Sequence, residues 1–340
     1  MSTSRSDDNV YTDVDREPER GGMGLSARPS PTVRLEPAPE SAVHVSERGL
    51  SEWQRARSAY ASNHLAVIGL VGIIIMGLIA IIGPQVYAQS ATDADIFNLS
   101  VNAWPSPAHL LGTDKDGIDI LARLLVGMRV SLGVALFAEA LNVLLGVPIG
   151  LAAGYFGGWI DFTLSRIADV LFAFPGLVLA ILVAGVFGGA VGETWGGLGR
   201  LALVTVSLAL VGWPLMARYV RAEVLSLRER AYVEAARAIG ASTPRIVFSH
   251  IAPNVVGLVL TVTTLDMASV VVSEATLSLL GLGVQPPHSS IGLMISSAIG
   301  VLNLNWTESL FPGLALTMMV LCFSFVGDGL RDALDPRTLR

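Results

Sequence analysis

The stretch LAVIGLVGIIIMGLIAIIGPQVY, from Leu65 to Tyr87, contains no charged side chain and is almost entirely apolar. A helix needs about 20 such residues to cross the roughly 30 Å hydrocarbon core of a bilayer, so this stretch predicts a membrane-spanning helix. A long polar segment precedes it, and its apolar core is longer than that of a cleaved signal peptide. The interpretation is a retained signal anchor; a cleaved signal ending near Ala88 is the alternative.

The rest of the chain has a similar character. Of its 340 residues, 52% are hydrophobic and 15% are charged, and the mean hydropathy is +0.61. Such a balance is typical of a polytopic membrane protein and not of a soluble globular domain. Runs with few or no charges predict an all-α protein with six transmembrane helices, at residues 65–87, 130–155, 170–190, 201–217, 253–282 and 310–327.

The N-terminal segment differs from everything that follows it. Residues 1–57 are rich in Arg, acidic residues, Ser and Pro. Such a composition cannot bury enough apolar area to offset the entropy lost on ordering the chain. We therefore predict a disordered cytoplasmic tail over 1–57 and a transmembrane domain over 58–340.

The basic residues predict the orientation of the spans. Segments near the span ends on one side of the membrane contain thirteen arginines, whereas the opposite side has Lys115, Arg123, Arg129 and Arg200. Short loops rich in Lys and Arg stay in the cytoplasm. The pattern predicts that both termini are cytoplasmic. It also places in the cytoplasm the loop 218–252, which contains six of the thirteen arginines.

The long external connection, residues 88–128, has two local features. Ile118, Leu121, Leu124 and Leu125 recur at helical spacing and predict an amphipathic helix lying at the membrane interface. The three aspartates of DKDGID lack the full spacing of a calcium loop, so they predict a solvated turn. These residues are Asp114, Asp116 and Asp119.

Several functional classes lack the residues they need. The net charge of −6 and the absence of a basic stripe with interleaved aromatics disfavour nucleic-acid binding. The only lysine, Lys115, lies outside any G-x-x-x-x-G-K-[ST] loop, so no nucleotide site is expected in this chain. Cys322 is a single cysteine, and the histidines are scattered. We expect no catalytic residues, no metal site and no cofactor in this chain.

Within the cytoplasmic loop, RAYVEAARAIG (residues 230–240) predicts a helix, a tight turn and a second helix. Tyr232, Ala235, Ala236 and Ile239 fall at i, i+3, i+4 and i+7 and predict one face. Gly240 suits the left-handed residue that ends a helix. Small residues on that face allow close approach by a protein partner; an amphipathic helix resting on lipid headgroups is the alternative.

Five motifs, which occur along the chain in the order typical of a known family, carry a resemblance to that family. Glu234-Ala235-Ala236, followed by Gly240 and Pro253, resembles the EAA motif of ABC importer permeases. Over about residues 50–340 the chain is similar to the permease subunits of dipeptide, oligopeptide and nickel importers. The other motifs are LGTDKDG (111–117), GYFGGWID (154–161), LSLLGLGVQPP (277–287) and GDGLRDALDP (327–336). This chain departs from the usual sequence of those permeases at Ile118, Ala252 and Ile291.

The resemblance implies a type I ABC importer permease architecture, like that of the methionine importer, in the plasma membrane. It implies that the chain forms half of a translocation path for di- or oligopeptides delivered by an extracytoplasmic binding protein. The implied partners are a second homologous permease in a heterodimer and two cytoplasmic ATPase subunits, which bind ATP and Mg. The implied ATPase-coupling residues are Tyr232, Glu234, Ala235, Ala236, Gly240 and Pro253. Dipeptide, oligopeptide, glutathione-like and nickel-chelate substrates remain open.

Two further groups of residues lie within the spans. Glu139, Asp266 and Glu274 are carboxylates in an apolar setting, where charge is costly and often lines a path, although a structural role is the alternative. They are the only support for a different function, an ion-coupled secondary transporter. Small residues at four-residue spacing predict close helix packing, within the chain or across a heterodimer. These residues are Gly146, Gly150 and Gly154.

Overall fold

The computed structural model describes residues 52–93 and 101–334. Helices dominate these ranges, in which the one β feature is an isolated bridge between Thr113 and Asp119. A π-helical turn, Val247–Ile251, joins the helices Thr243–Ile246 and Ala252–Leu279. The helices are α1 (Glu52–Ser62), α2 (His64–Val86), α3 (Ile120–Phe156), α4 (Gly158–Phe172), α5 (Gly176–Leu227), α6 (Ala231–Ala238), α7 (Thr243–Ile246), α8 (Ala252–Leu279), α9 (Ile291–Ala298) and α10 (Thr307–Leu334).

Five helices of the described chain are long and apolar enough to cross a membrane: α2, α3, α5, the continuous segment Thr243–Leu279, and α10. The 52 residues of α5 are interrupted at Gly196, which has φ 62° and ψ −149°. Its two halves fold back on each other. A Cβ placed on Gly176, in the first half, would lie only 2.6 Å from Cγ1 of Val211, in the second half. Five of the six predicted spans therefore overlap a single apolar helix or one half of α5, whereas the third, 170–190, begins in the last residues of α4 and continues into the first half of α5.

Helix α5 is longer at its C-terminal end than predicted. It continues to Leu227, past the predicted end at residue 217, so the predicted loop 218–252 begins ten residues too early. Two arginines in this extension pair with aspartates of α4: Arg218 with Asp169 and Arg221 with Asp161.

Two predictions at the ends of other helices are wrong. The amphipathic segment of the external connection is not a separate interfacial helix, because Leu121, Leu124 and Leu125 form the first turns of α3. Leu124 and Leu125 are buried inside the protein. Helix α1 begins at Glu52, so residues 52–57 of the predicted disordered tail are helical. Residues 1–51 of that tail lie outside the described residues.

Helix α3 is central and packs closely against the second half of α5. A Cβ on Gly150 would lie 2.6 Å from the carbonyl oxygen of Ala217, and one on Gly154 would lie 2.7 Å from Val224 Cβ. Gly146 is equally close to α5, with Met216 Cβ at 2.7 Å from the corresponding position. The three glycines thus lie where two helices of the same chain approach most closely, an approach that larger side chains would prevent.

Candidate functional site

Helix α6 is anchored to the rest of the protein through one side. Val233 is fully buried and Ala236 is 7% exposed. They pack in a cluster with α5 residues and with the segment that leads into α8, including Ile246 and Ile251. Gly240 ends the helix with φ 82°, and its N–H donates to the carbonyl oxygen of Arg237 at 3.0 Å. The left-handed residue predicted for this position is therefore present.

The opposite side of α6 is exposed. Ile239 is 86% exposed and Tyr232 is 45% exposed, and Ala235 lies on the same side. Glu234 is exposed on the flank of this surface. We call Tyr232, Ala235 and Ile239 the α6 surface.

The prediction that Tyr232, Ala235, Ala236 and Ile239 share one face is wrong for Ala236. It lies on the buried side because it shares that side with Val233, three residues earlier in the helix. Pro253, another residue of the predicted coupling set, is exposed in the first turn of α8, beyond the π-helical turn. The structure thus places four predicted coupling residues on exposed surface, Gly240 in the turn and Ala236 in the core.

The α6 surface is mechanically connected to the membrane-spanning helices. The segment Thr243–Leu279 is helical throughout, so Ile246 and Ile251, which pack in the cluster with the buried side of α6, belong to the same continuous helix as α8. The other side of the cluster is formed by Val220, Val224 and Leu227 of α5. Close-packed interiors transmit displacement, and α6 shares one packed cluster with α5 and with the segment that leads into α8.

A bidentate ion pair braces α4 against the end of α5. Arg221 Nε donates to Asp161 Oδ1 at 2.5 Å, and Arg221 Nη2 donates to Asp161 Oδ2 at 2.7 Å. Ser165 Oγ also donates to Asp161 Oδ1, at 3.0 Å. The hydrogen bonds from Arg221 hold the pKa of Asp161 below its usual value, although burial opposes this shift.

The structure divides the three predicted intramembrane carboxylates into two groups. Glu139 of α3 faces Asp266 of α8, and Asn142 Nδ2 donates to Glu139 Oε2 at 2.8 Å. Glu274 lies apart from this pair and has no exposed surface. It accepts hydrogen bonds from Ser131 Oγ at 2.8 Å and from Ser278 Oγ at 2.7 Å.

A buried polar cluster in the connection between α2 and α3 was not predicted. Asp114 and Asp119 are 1% and 2% exposed, so the prediction of a solvated turn is wrong for both. Asp114 pairs with Arg123, and Asp119 Oδ2 lies 2.9 Å from His109 Nδ1. The cluster is close to Glu308, which is 2% exposed. No sequence spacing signals this cluster, since Glu308 is distant in the chain.

Metal-ligating side chains do not converge in the described ranges, where no group of three His, Cys, Asp or Glu residues is placed to hold an ion. The arrangement of the chain is instead that of a transmembrane helix bundle with an exposed helix between two of its spans.

Solved structures share this fold. One describes inward-facing conformations of the MetNI methionine ABC transporter, with a TM-score of 0.50 and 21% identity. The similarity covers 62% of this chain and 96% of that chain. At this identity the similarity shows the fold alone.

Sequence relatives extend over most of the chain. The dipeptide transport system permease protein of Alkalihalophilus pseudofirmus is 38% identical, covering 85% of this chain and 91% of the relative. The glutathione transport system permease protein of Pectobacterium atrosepticum is 37% identical, covering 84% and 91%. The oligopeptide transport system permease protein of Bacillus subtilis is 36% identical, covering 90% and 98%.

Two family descriptions match the chain. Residues 51–105 match the N-terminal transmembrane domain of oligopeptide transport permease C. Residues 146–340, more than half of the chain, match the inner membrane component of binding-protein-dependent transport systems. This chain is therefore a member of the family of binding-protein-dependent transport system inner membrane components, the permeases of ABC importers.

Proposed function

We propose that this permease forms half of the translocation path of an ATP-driven importer of di- or oligopeptides. The support is that the relatives named for dipeptide, glutathione and oligopeptide transport are 36–38% identical over most of their length. In this proposal an extracytoplasmic binding protein delivers the peptide. A second, homologous permease completes the path as a heterodimer.

Energy for transport comes, in this proposal, from two cytoplasmic ATPase subunits that bind ATP and Mg. In this proposal both termini and α6 lie on the cytoplasmic side, as the distribution of arginines predicts. Arg230, Arg237 and Arg245 are exposed around α6 and support this orientation. Membership of a binding-protein-dependent family disfavours the alternative of an ion-coupled secondary transporter.

The α6 surface is the proposed contact with the ATPase. The observation that carries this step is the exposure of Ile239, a large apolar side chain on a helix whose other side is fixed in the core. A groove of an ATPase subunit would cover Tyr232, Ala235 and Ile239, and Glu234 would pair with a basic residue at its edge. Closure of the ATPase pair would then push α5 and α8 through the buried side of α6.

The three membrane carboxylates have different proposed roles. Glu274 has two hydroxyl donors and no exposed surface, which favours a structural role. Asp266 retains exposed surface and is the candidate among the three for lining the path. Glu139 is more deeply buried than Asp266.

The coupling proposal is tested by charge changes on the α6 surface. We expect Glu234→Lys and Ile239→Asp to insert normally but to lose peptide uptake and co-purification with the co-expressed ATPase subunits. A like charge or a desolvated carboxylate at such a contact costs several kcal/mol, which weakens binding at least about tenfold.

The matched control is Glu193→Lys, the same charge reversal at an exposed residue near the break in α5. It should retain uptake and ATPase association. Full uptake together with full association in both α6 variants would contradict the assignment of α6 as the coupling helix.

A further inference from the structure

Four polar side chains meet between α3 and α8 inside the membrane-spanning region. Glu139 and Asn142 come from α3, and Thr263 and Asp266 come from α8. We call these four residues the Glu139 cluster. Glu139 is 2% exposed and Asn142 is 1% exposed, whereas Asp266 is only partly buried.

The oxygen atoms of this cluster are under-satisfied. Asn142 Nδ2 donates to one Glu139 oxygen, Oε2. The other oxygen, Glu139 Oε1, and Asn142 Oδ1 are buried without a hydrogen-bond donor, and the buried Thr263 hydroxyl lies near Glu139 without a hydrogen bond of normal geometry. Buried oxygens of this kind are rare in folded proteins, because each forfeits its hydration without a replacement.

The charges of the cluster are also unbalanced. Glu139 and Asp266 face each other, and no ion pair joins either carboxyl to a Lys, Arg or His among the residues that the structure describes. Two adjacent ionised carboxylates with no cationic partner are strongly unfavourable in a low-dielectric setting. Some positive charge must therefore reside between them.

We propose that the Glu139 cluster is a monovalent-cation site that links α3 to α8, filled by one proton or one sodium ion. Two carboxylates, an amide oxygen and a hydroxyl form a set of hard oxygen ligands suited to either occupant. A proton would be shared between the carboxyl groups, and a sodium ion would also use the unpartnered oxygens of Asn142 and Thr263. Asp266, with its exposed surface, is the point of entry.

The packing around the cluster restricts the occupant to a small ion. The Asn142 side chain lies directly against Gly212 of α5, where even a Cβ would collide with it. Glu139 is almost fully enclosed. A peptide ammonium group carries a chain that the enclosed position beside Glu139 and Asn142 does not accommodate, so only the exposed surface of Asp266 is available to the transported peptide.

Occupancy of the site stabilises the contact between two helices that the coupling proposal treats as moving parts. Helix α8 is continuous with the segment from Thr243 onward, which packs against the buried side of α6, and α3 packs along α5. Removing the cation leaves two like charges facing each other and separates the helices. The site itself rests on the geometry between α3 and α8 and not on the proposed substrate or ATPase contact.

The test uses the full chain in lipid nanodiscs and measures infrared difference spectra. A pH step in sodium-free choline buffer reports a shared proton as a carboxylic C=O band that disappears on raising the pH. Exchange of choline for sodium at constant high pH reports a sodium ion as a shift of the carboxylate bands. We expect at least one of these signals, lost in Glu139→Gln and in Asp266→Asn.

The control is Glu274→Gln, which removes the other carboxyl predicted within the spans and should leave the signal in place. Thermal unfolding provides a second readout. The wild-type unfolding temperature should fall as the pH rises, or recover with added sodium, and the double variant Glu139→Gln/Asp266→Asn should lose this dependence. Wild-type spectra without either signal, or a signal that survives in both single variants, would overturn the proposal.

Discussion

At the residue scale, Gly150 shows how a missing side chain controls the distance between two helices. The position of its absent Cβ is 2.6 Å from the carbonyl oxygen of Ala217 and 2.7 Å from Val220 Cβ. Both distances are shorter than van der Waals contact, so α3 and α5 must separate to accept even a methyl group. The same feature recurs one turn away on either side, at Gly146 and Gly154.

We predict that Gly150→Ala lowers the free energy of unfolding of the detergent-purified chain by about 1 to 3 kcal/mol, the usual cost of overpacking. The matched control is Gly133→Ala in the same helix, where a Cβ meets no atom within 4 Å. Because alanine has the higher helix propensity, this variant should be neutral or more stable by up to about 1 kcal/mol. Equal thermal stability of the two variants would argue against glycine-dependent packing of α3 on α5.

At the scale of elements, α4 is tied to α5 through Asp161 and Arg221, whose side chains are 19% and 34% exposed. The second pair between these helices, Asp169 with Arg218, is about half exposed on both sides. Exposed ion pairs contribute little, whereas a partly buried bidentate pair contributes more. The first pair is therefore expected to carry most of the ionic contribution to this helix contact.

We predict that Asp161→Asn lowers the free energy of unfolding at pH 7 by about 1 to 2 kcal/mol, after allowance for its partial exposure. The lowered pKa of Asp161 gives the sign of the pH dependence. Its contribution is complete above the pKa of the unfolded chain, about 4, and disappears as the pH falls through the lower folded value.

Thermal unfolding in detergent between pH 7 and pH 3 checks this prediction. The difference between wild type and Asp161→Asn should shrink as the pH falls, and Asp169→Asn should differ little from wild type throughout. A larger effect from Asp169→Asn than from Asp161→Asn would reverse the assignment of the two pairs.

At the scale of the whole molecule, the proposed topology predicts which positions are accessible from outside the cell. Ala190 is exposed near the break in α5, and Ser242 is exposed between α6 and α7. A membrane-impermeant maleimide should label Ala190→Cys in intact cells but should label Ser242→Cys only after permeabilisation. The native Cys322 is buried, so unmodified protein is the background control. Labelling of Ser242→Cys in sealed cells would contradict the proposed topology.

The buried residues limit where such probes are placed. Ser289 follows α8 on the same predicted external side, but it is 3% exposed and therefore unsuitable as an accessible site. Its position in the sequence, beside prolines and outside a predicted span, gives no indication of this burial. Accessibility at this position depends on neighbouring elements that fold over it.

The sequence by itself determined the helical membrane class, the approximate positions of the spans and the family. A span is a local property, because the thickness of the bilayer requires a continuous apolar run of a given length. The turn at Gly240 is local as well, since glycine tolerates positive φ at low cost. The motifs that carry the family resemblance are likewise contiguous stretches.

Only the tertiary structure decided which side of each helix is covered. Helical periodicity groups residues into faces, but contacts with distant segments select the buried face, as the burial of Ala236 on the inner side of α6 shows. The meeting of Glu139 with Asp266, and the burial of Asp114 near Glu308, likewise join residues far apart in the chain. Such pairings depend on how helices pack, and no local spacing in the sequence encodes them.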